Sequence, residues 1–232
     1  MMEDGNKTRG AEHIMVDPIQ AVIWDLDGVI IDSAQEHLRA WQRLARETGV
    51  TFTEEQFWST FGRRNDAIIP TIWGTHSPER VRELADRKEA YFREFMRETA
   101  ASLPGAIELL SALHDAGYAQ ALASSTPMAN IQLISEVLGL RRYLSVLVSG
   151  ETVPRGKPAP DVFLKAAEEL EVEPGRCLVI EDAVAGVEAA HAGGMRCIAV
   201  AGDRDLPGLR KAEVVVRDLR EVTVDTLRRL PR

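Results

Sequence analysis

The stretch AVIWDLDGVIIDS, residues 21–33, decides how the rest of the chain is read. Four apolar residues, Ala21 to Trp24, run straight into Asp25, with Asp27 two positions on and Gly28 behind it. A short apolar run of this kind predicts a buried strand over 20–24. Such a strand should not end on two bare carboxylates, because desolvated carboxylates are costly and two close together repel. A partner elsewhere in the chain has to compensate them.

Working outward, residues 33 to about 100 show helical spacing throughout. In SAQEHLRAWQRLARETG, Leu38, Trp41, Leu44 and Ala45 recur along one face and Gly49 follows as a stop. In SPERVRELADRKEAYFREFM, Ser77 is an N-cap and Pro78 opens the helix, with Val81, Leu84, Lys88, Tyr91 and Phe92 along a stripe. Between them FGRRNDAIIPTIWG predicts a glycine-containing turn and another helix, ended or kinked at Pro70. After Pro104–Gly105 the rhythm becomes short apolar runs alternating with helices. Strands are expected over 118–124, 143–149, 177–181, 196–201 and 213–216, with helices between them. This alternation implies an α/β fold: a doubly wound, Rossmann-like parallel sheet with an all-α module inserted after its first strand. The expected organisation is a disordered tail at 1–17, a core of 18–32 and 103–232, and a helical insertion at 33–102.

In open parallel sheets ligands bind outside the carboxyl ends of the strands. Asp25 and Asp27 follow the first apolar run, Ser124, Ser125 and Thr126 the second. Lys157 follows the third past a loop, and Glu181–Asp182 follow the fourth. Each has an ordinary explanation: a solvated turn, a helix cap, a surface lysine. Their recurrence at four strand ends points instead to one site. A hard divalent cation, best Mg²⁺, offsets the carboxylates, and a phosphate supplies the acceptor for Lys157 and Ser124. One aspartate can then attack phosphorus, while the second protonates the departing alkoxide and deprotonates the water that follows.

Net charge is −8, so no basic field attracts nucleic acid or anionic lipid, and neither is expected as a partner. No apolar run reaches the roughly 20 residues that span a bilayer. The polar N-terminus lacks an apolar signal core, so a cytoplasmic location is expected; a monomer is the expected state, although no residue pattern speaks to it. Cys177 and Cys197 lie in apolar runs and read as buried, reduced thiols. Only five of the 28 basic residues are lysines, which draws attention to Lys88 and Lys157.

From about residue 19 onward the chain resembles the haloacid dehalogenase superfamily of phosphotransferases. Its four motifs are matched by Asp25-Leu26-Asp27-Gly28-Val29-Ile30-Ile31-Asp32-Ser33, by Ser124, by Lys157 in KPAPDVF, and by Glu181–Asp182 in EDAVAGVEAA. The resemblance implies Asp25 as nucleophile, Asp27 as acid and base, and Ser124 and Lys157 on the phosphoryl group. It implies Mg²⁺ on Asp25, the Asp27 backbone carbonyl and Asp182, with Glu181 close by. The helical insertion would be the family's mobile cap. Within the superfamily the likeness is to β-phosphoglucomutases and related phosphatases, which implies cap roles for His37 and Lys88. A mutase must also grip a second phosphate. Where the mutases carry a Ser-Lys-Asn run after the second-motif serine, this chain has Thr126-Pro127-Met128, and Asn65 stands at the mutases' cap arginine, with Arg63 and Arg64 just before it. These departures favour a phosphatase acting on a small phosphorylated metabolite, a sugar phosphate or similar monoester. A mutase is the alternative, and a non-catalytic phospho-acceptor module a remote one.

Overall fold

The computed structural model describes residues 19–61, 63–204 and 206–230; the expected tail at 1–17 lies outside them. Six strands form one sheet: β1 Ala21–Trp24, β2 Ala119–Ser124, β3 Val146–Ser149, β4 Cys177–Glu181, β5 Arg196–Val200 and β6 Val214–Val216. Every pairing is parallel and the spatial order is β3-β2-β1-β4-β5-β6. From β1 the chain winds outward through β2 and β3, then crosses back to β4 on the other side of β1. The opening strand therefore lies at the point where the winding reverses, where doubly wound sheets bind ligands.

Residues of one strand alternate between two cores, as a period of two requires. Val22 and Trp24 enter one apolar cluster with Leu122, Leu178, Ile180 and Ile198. Ala21 and Ile23 enter the other with Ala121, Ala123, Val179 and Cys197. The indole N–H of Trp24, buried with its strand, donates to Gln120 Oε1 at 3.0 Å, so no polar atom is stranded there. Both cysteines are buried and free, as expected.

The insertion comprises α1 Ala34–Thr48, α2 Glu54–Thr60, α3 Asn65–Trp73 and α4 Pro78–Thr99. It has its own apolar cluster, built from Leu38, Trp41, Leu44, Phe52, Phe57, Ile69 and Leu84. Gly49 ends α1 with φ 69°, and Ser77 caps α4, as expected. A Thr53–Gln56 capping box starts α2. Pro70 does not end α3, one of the two outcomes expected there, and the helix runs on through it to Trp73. Trp73 holds the last turn in place, 5.4 Å from the Trp41 ring and donating to Thr48 Oγ1 at 2.9 Å. Tertiary packing of the helix end outweighs the missing backbone bond. The two connections to the core lie side by side, with Ile31 bridged antiparallel to Ser102 and Leu103 N donating to Ile30 O at 2.8 Å.

The remaining helices, α5 Ala106–Asp115, α6 Met128–Val137, α7 Asp161–Glu169, α8 Val184–Ala192 and α9 Val224–Arg228, complete the core unit. β3 starts at Val146 rather than residue 143, because Leu140–Arg142 forms a tight helical turn that carries Tyr143 before the sheet. Among the described residues no helix is long and apolar enough to cross a membrane.

Candidate active site

Sheet register sets the first pair of carboxylates. Trp24 is level with Ile180, so the residues that follow them, Asp25 and Glu181, leave the sheet side by side. Asp25 N donates to Ile180 O at 2.9 Å, which extends the ladder by one step. Lys157 compensates both acids, with Nζ 2.6 Å from Asp25 Oδ1 and 2.5 Å from Glu181 Oε1. The other oxygen of Glu181 accepts from the backbone N–H of Asp182 at 2.7 Å and of Ala183 at 2.6 Å. Glu181 is thus fully engaged as the anchor of Lys157.

Burial pushes Asp25 well above the ordinary carboxylate range; Lys157 opposes this, while Glu181, Asp182 and Asp27 add to it. Burial alone would lower the pKa of Lys157, but Asp25 and Glu181 raise it, so the ammonium stays charged. Asp182, raised by burial and by Glu181 against the pull of Arg204, reaches about 7. Arg204 Nη2 donates to Asp182 Oδ2 at 2.9 Å and to the Asp182 carbonyl at 3.1 Å.

Two glycines make room for this cluster. Gly28 has φ 81°, and a Cβ there would overlap the Asp182 carboxylate. On α8, a Cβ on Gly186 would overlap the carboxylate of Glu181. Alanine inside a helix is ordinarily worth about 1 kcal/mol over glycine. At this position the sign should invert, with Gly186→Ala destabilising by roughly 1–3 kcal/mol through overpacking. Urea unfolding measures it, and an alanine variant as stable as the parent would show that Glu181 does not need this seat.

Asp27 has a different environment. Its Oδ1 accepts from the Ser33 hydroxyl and lies 3.5 Å from His37 Nε2. Burial works to raise its pKa, but the His37 ring, the Ser33 hydroxyl and the Lys88 ammonium together bring it below the ordinary value. Lys88, on α4, donates to His37 Nδ1 at 2.6 Å and to Glu89 Oε1 at 2.8 Å. Glu89 also accepts from Asn65 Nδ2 at 2.7 Å and, through its second oxygen, from Asn130 Nδ2 at 2.6 Å. Asn130 donates onward to Thr126 Oγ1 at 3.2 Å, and Thr126 N donates to Ser124 Oγ at 3.2 Å. A continuous polar chain therefore runs from Asp27 through the helical insertion and back to Ser124.

The residues singled out in the sequence fall into two groups. Asp25, Lys157, Glu181 and Asp182 converge directly, while Asp27, His37, Lys88, Thr126 and Ser124 are joined through the polar chain. Lys88 is only 2% exposed, which rules out a solvated face. Ser125 is half-buried, its backbone packed on Gly150, where a Cβ would stand 3.0 Å from Ser125 Cα. Arg64 lies with its stem over Gly156, where a Cβ would be 2.9 Å from Cδ, next to Lys157 in the chain. Arg63 is exposed. Sequence reasoning missed Arg204, Glu89 and Asn130. Arg204 follows β5, the strand whose end was not inspected; Glu89 is a charged residue beside the buried stripe of α4.

Asp25, Glu181 and Asp182 each offer an oxygen within 4.8 Å of the other two, all buried. An all-oxygen carboxylate set fits a hard divalent cation. The Asp27 side chain is not in this cluster; it is turned to Ser33 and His37, leaving its backbone carbonyl as the contribution the resemblance implies.

Comparison with known proteins identifies the family of the chain. Residues 19–194 match the family model of haloacid dehalogenase-like hydrolases. The chain is 33% identical over 211 residues to the chloroplastic 5-amino-6-(5-phospho-D-ribitylamino)uracil phosphatase of Arabidopsis thaliana, covering 90% of this chain and 57% of that longer one. It is 34% identical over 202 residues to hexitol phosphatase A of Escherichia coli (strain K12), covering 87% and 92% of the two chains. The crystal structure of a β-phosphoglucomutase from Clostridium difficile superposes with a TM-score of 0.82 at 28% identity, over 90% of this chain and 95% of that one. Its sheet order, its strand-end carboxylates and these likenesses agree: the chain is an enzyme belonging to the haloacid dehalogenase-like hydrolase family.

Proposed function

We propose that this enzyme is a Mg²⁺-dependent phosphatase that hydrolyses small phosphomonoesters, sugar phosphates above all, through an aspartyl-phosphate on Asp25. The supporting observation is the division of labour between two aspartates two residues apart. Asp25 is held by Lys157 in a crowded acidic cluster, while Asp27 is held apart by Ser33 and His37. In the metal-free protein burial favours the neutral form of Asp25 and the His37 side of the site favours the ionised form of Asp27, so these roles require a bound cation to ionise Asp25 and a bound phosphate to protonate Asp27.

Asp25 Oδ attacks phosphorus and the ester P–O bond breaks; the leaving alkoxide takes a proton from Asp27. An arriving phosphate dianion raises the proton affinity of Asp27, which is otherwise held ionised, so that it takes up one proton from solvent before the ester bond breaks. Asp27 then takes a proton from water, whose oxygen attacks phosphorus and frees Asp25 and inorganic phosphate. Lys157 and the hydroxyl of Ser124 hold the phosphoryl oxygens. Asp25, Asp182 and the Asp27 carbonyl, with Glu181 alongside, would hold a Mg²⁺, which would supply the positive charge that relieves repulsion between Asp25 and the phosphate. Residues 33–102 act as a cap over a core of 18–32 and 103–232, with Arg64 reaching from cap to the Lys157 loop.

The test is phosphate release from p-nitrophenyl phosphate and a panel of phosphorylated metabolites, with and without Mg²⁺. The mutase alternative draws on the β-phosphoglucomutase likeness and requires glucose 6-phosphate to form from β-glucose 1-phosphate and a bisphosphate primer. Mg²⁺ binding carries its own prediction. Because Asp182 sits at about 7, the metal must displace a proton below that pH. Because burial raises Asp25 as well, affinity measured by titration calorimetry should weaken steadily as pH falls below 7, by at least about tenfold per pH unit. A pH-independent affinity between pH 5.5 and 7 would remove Asp182 from the ligand set.

A further inference from the structure

A cavity of about 400 Å³ lies between α2 of the insertion and the core, and it reaches the candidate active site. Gly28, Ser33 and Asp182 line it there, and Ser33 is the residue whose hydroxyl donates to Asp27. On the other flank of Asp27, behind His37, the Lys88–Glu89 pair is sealed, 2% and 4% exposed. Space beside the acid–base aspartate therefore lies on its Ser33 side. The insertion gives this cavity Trp58 and Phe61, and the core gives it Leu103, Pro104 and Leu219. Trp58 is 48% exposed, yet it is held in place. Its ring stands 5.0 Å from Phe57 edge-on and 5.5 Å from Phe61, and its indole N–H donates to Glu54 Oε1 at 3.4 Å. Two neighbouring rings kept open to a cavity form a surface suited to a flat, apolar ligand.

The charges on the lining are already matched. Arg204 pairs with Asp182 at 2.9 Å, Arg217 with Asp203 at 2.7 Å and Arg220 with Asp218 at 2.7 Å. All six residues line the cavity, and a further acid, Asp32, joins them. Acids thus outnumber cations on the lining, which favours an uncharged ligand over a second anion. The cavity is larger than the roughly 150 Å³ that admits a benzene ring, so an aromatic system of one or two rings fits. We propose that this cavity receives the alcohol portion of the substrate, and that Trp58 and Phe61 are specificity-determining residues selecting phosphomonoesters whose alcohol carries an uncharged aromatic ring. Offset or edge-to-face contact with the two rings adds to the apolar area buried against Leu103, Pro104 and Leu219. Neither Trp58 nor Phe61 lies in the motifs that carry the family resemblance. This inference rests on the phosphatase reading and narrows its substrate class: a sugar phosphate bearing such a ring fills the cavity, and a bare sugar phosphate leaves the ring wall in water.

The experiment compares esters that are alike at the scissile bond and differ by a ring. Phosphate release with Mg²⁺ is measured from uridine 5′-monophosphate against ribose 5-phosphate, and from 3-phenylpropyl phosphate against propyl phosphate, with p-nitrophenyl phosphate as the reference ester. In the parent enzyme kcat/KM should be about tenfold or more higher for the ring-bearing member of at least one pair. Trp58→Ala should lower that ratio by about tenfold, whatever becomes of the absolute rates, and Trp58→Phe, which keeps a ring, should retain most of it. Phe61→Ala should move the ratio in the same direction and carries the test if Trp58→Ala does not fold. A second readout needs no turnover of the probe: 4-phenylbutylphosphonate should compete with p-nitrophenyl phosphate, and less tightly in Trp58→Ala. A parent enzyme that treats the members of both pairs alike overturns the inference alone, as does a ratio unchanged in the alanine variants or inhibition that is not competitive. No release from any ester, p-nitrophenyl phosphate included, overturns the phosphatase reading and the inference with it.

Discussion

Asp25→Asn should abolish turnover of p-nitrophenyl phosphate, with kcat reduced roughly 10³-fold or more, while the protein remains folded and melts no lower than the parent. The two halves of this expectation have one cause. Asp25 is a buried carboxylate crowded by Glu181, Asp182 and Asp27, with its pKa raised by that burial and only partly restored by Lys157. A raised folded pKa means the ionised form works against folding, so this group costs the metal-free protein stability as pH rises from the unfolded pKa of about 3.9 towards the raised folded value. Asparagine keeps the size and removes the charge, and Lys157 retains Glu181 at 2.5 Å. The same change removes the attacking oxygen's negative charge and one oxygen of the metal cluster. Stopped-assay kinetics and thermal melting on one preparation check both halves. Hydrolysis near the parent rate would sink the nucleophilic role, and a collapse in melting temperature would show that the Asp25–Lys157 pair stabilises more than crowding costs.

What could be read from the sequence is what repeats locally. Asp25 was legible because an apolar strand ended on it, and Lys157, Ser124 and Glu181–Asp182 because each followed another apolar run. The parallel sheet turned these separate strand ends into one place, and the matched register of Trp24 and Ile180 put Asp25 beside Glu181. Contacts between units lacked any such local sign. Glu89 meets Asn130 across 41 residues of chain, and Arg204 meets Asp182 across 22. Lys88 could be noticed on its stripe, but its partner Glu89 looked like one more surface acid, because spacing does not show which faces of α4 are covered by α1, α3 and α6. Pro70 misled for a related reason. Its local cost was read correctly, but the anchoring of Trp73 against Trp41 and Thr48 comes from residues far from it in sequence.

The pairing of Asp25 with Asp27 gives the second large effect, and with the opposite thermodynamic sign. Asp27→Asn should release about one equivalent of nitrophenol in a burst and then turn over roughly 10²–10⁴-fold more slowly than the parent, since no base is left to activate water. The leaving nitrophenolate needs little help from an acid, so attack by Asp25 proceeds and the phosphoryl group is left on the protein, where intact mass measurement should find it. Stability moves the other way from Asp25→Asn. The pKa of Asp27 is lowered by His37, Ser33 and Lys88 against the effect of burial, so its ionised form favours the folded state. That contribution is present above the unfolded pKa of about 3.9 and is lost as pH falls through the folded value. Asparagine can still accept from Ser33 but forfeits the attraction to His37 and Lys88, so its melting temperature at pH 7 should drop below the parent's, and the gap should close towards pH 3. A steady-state rate close to that of the parent, with no phosphoryl group trapped, would remove Asp27 from the second step. A burst without the loss of stability would instead mean that His37 is not held against Asp27 in solution.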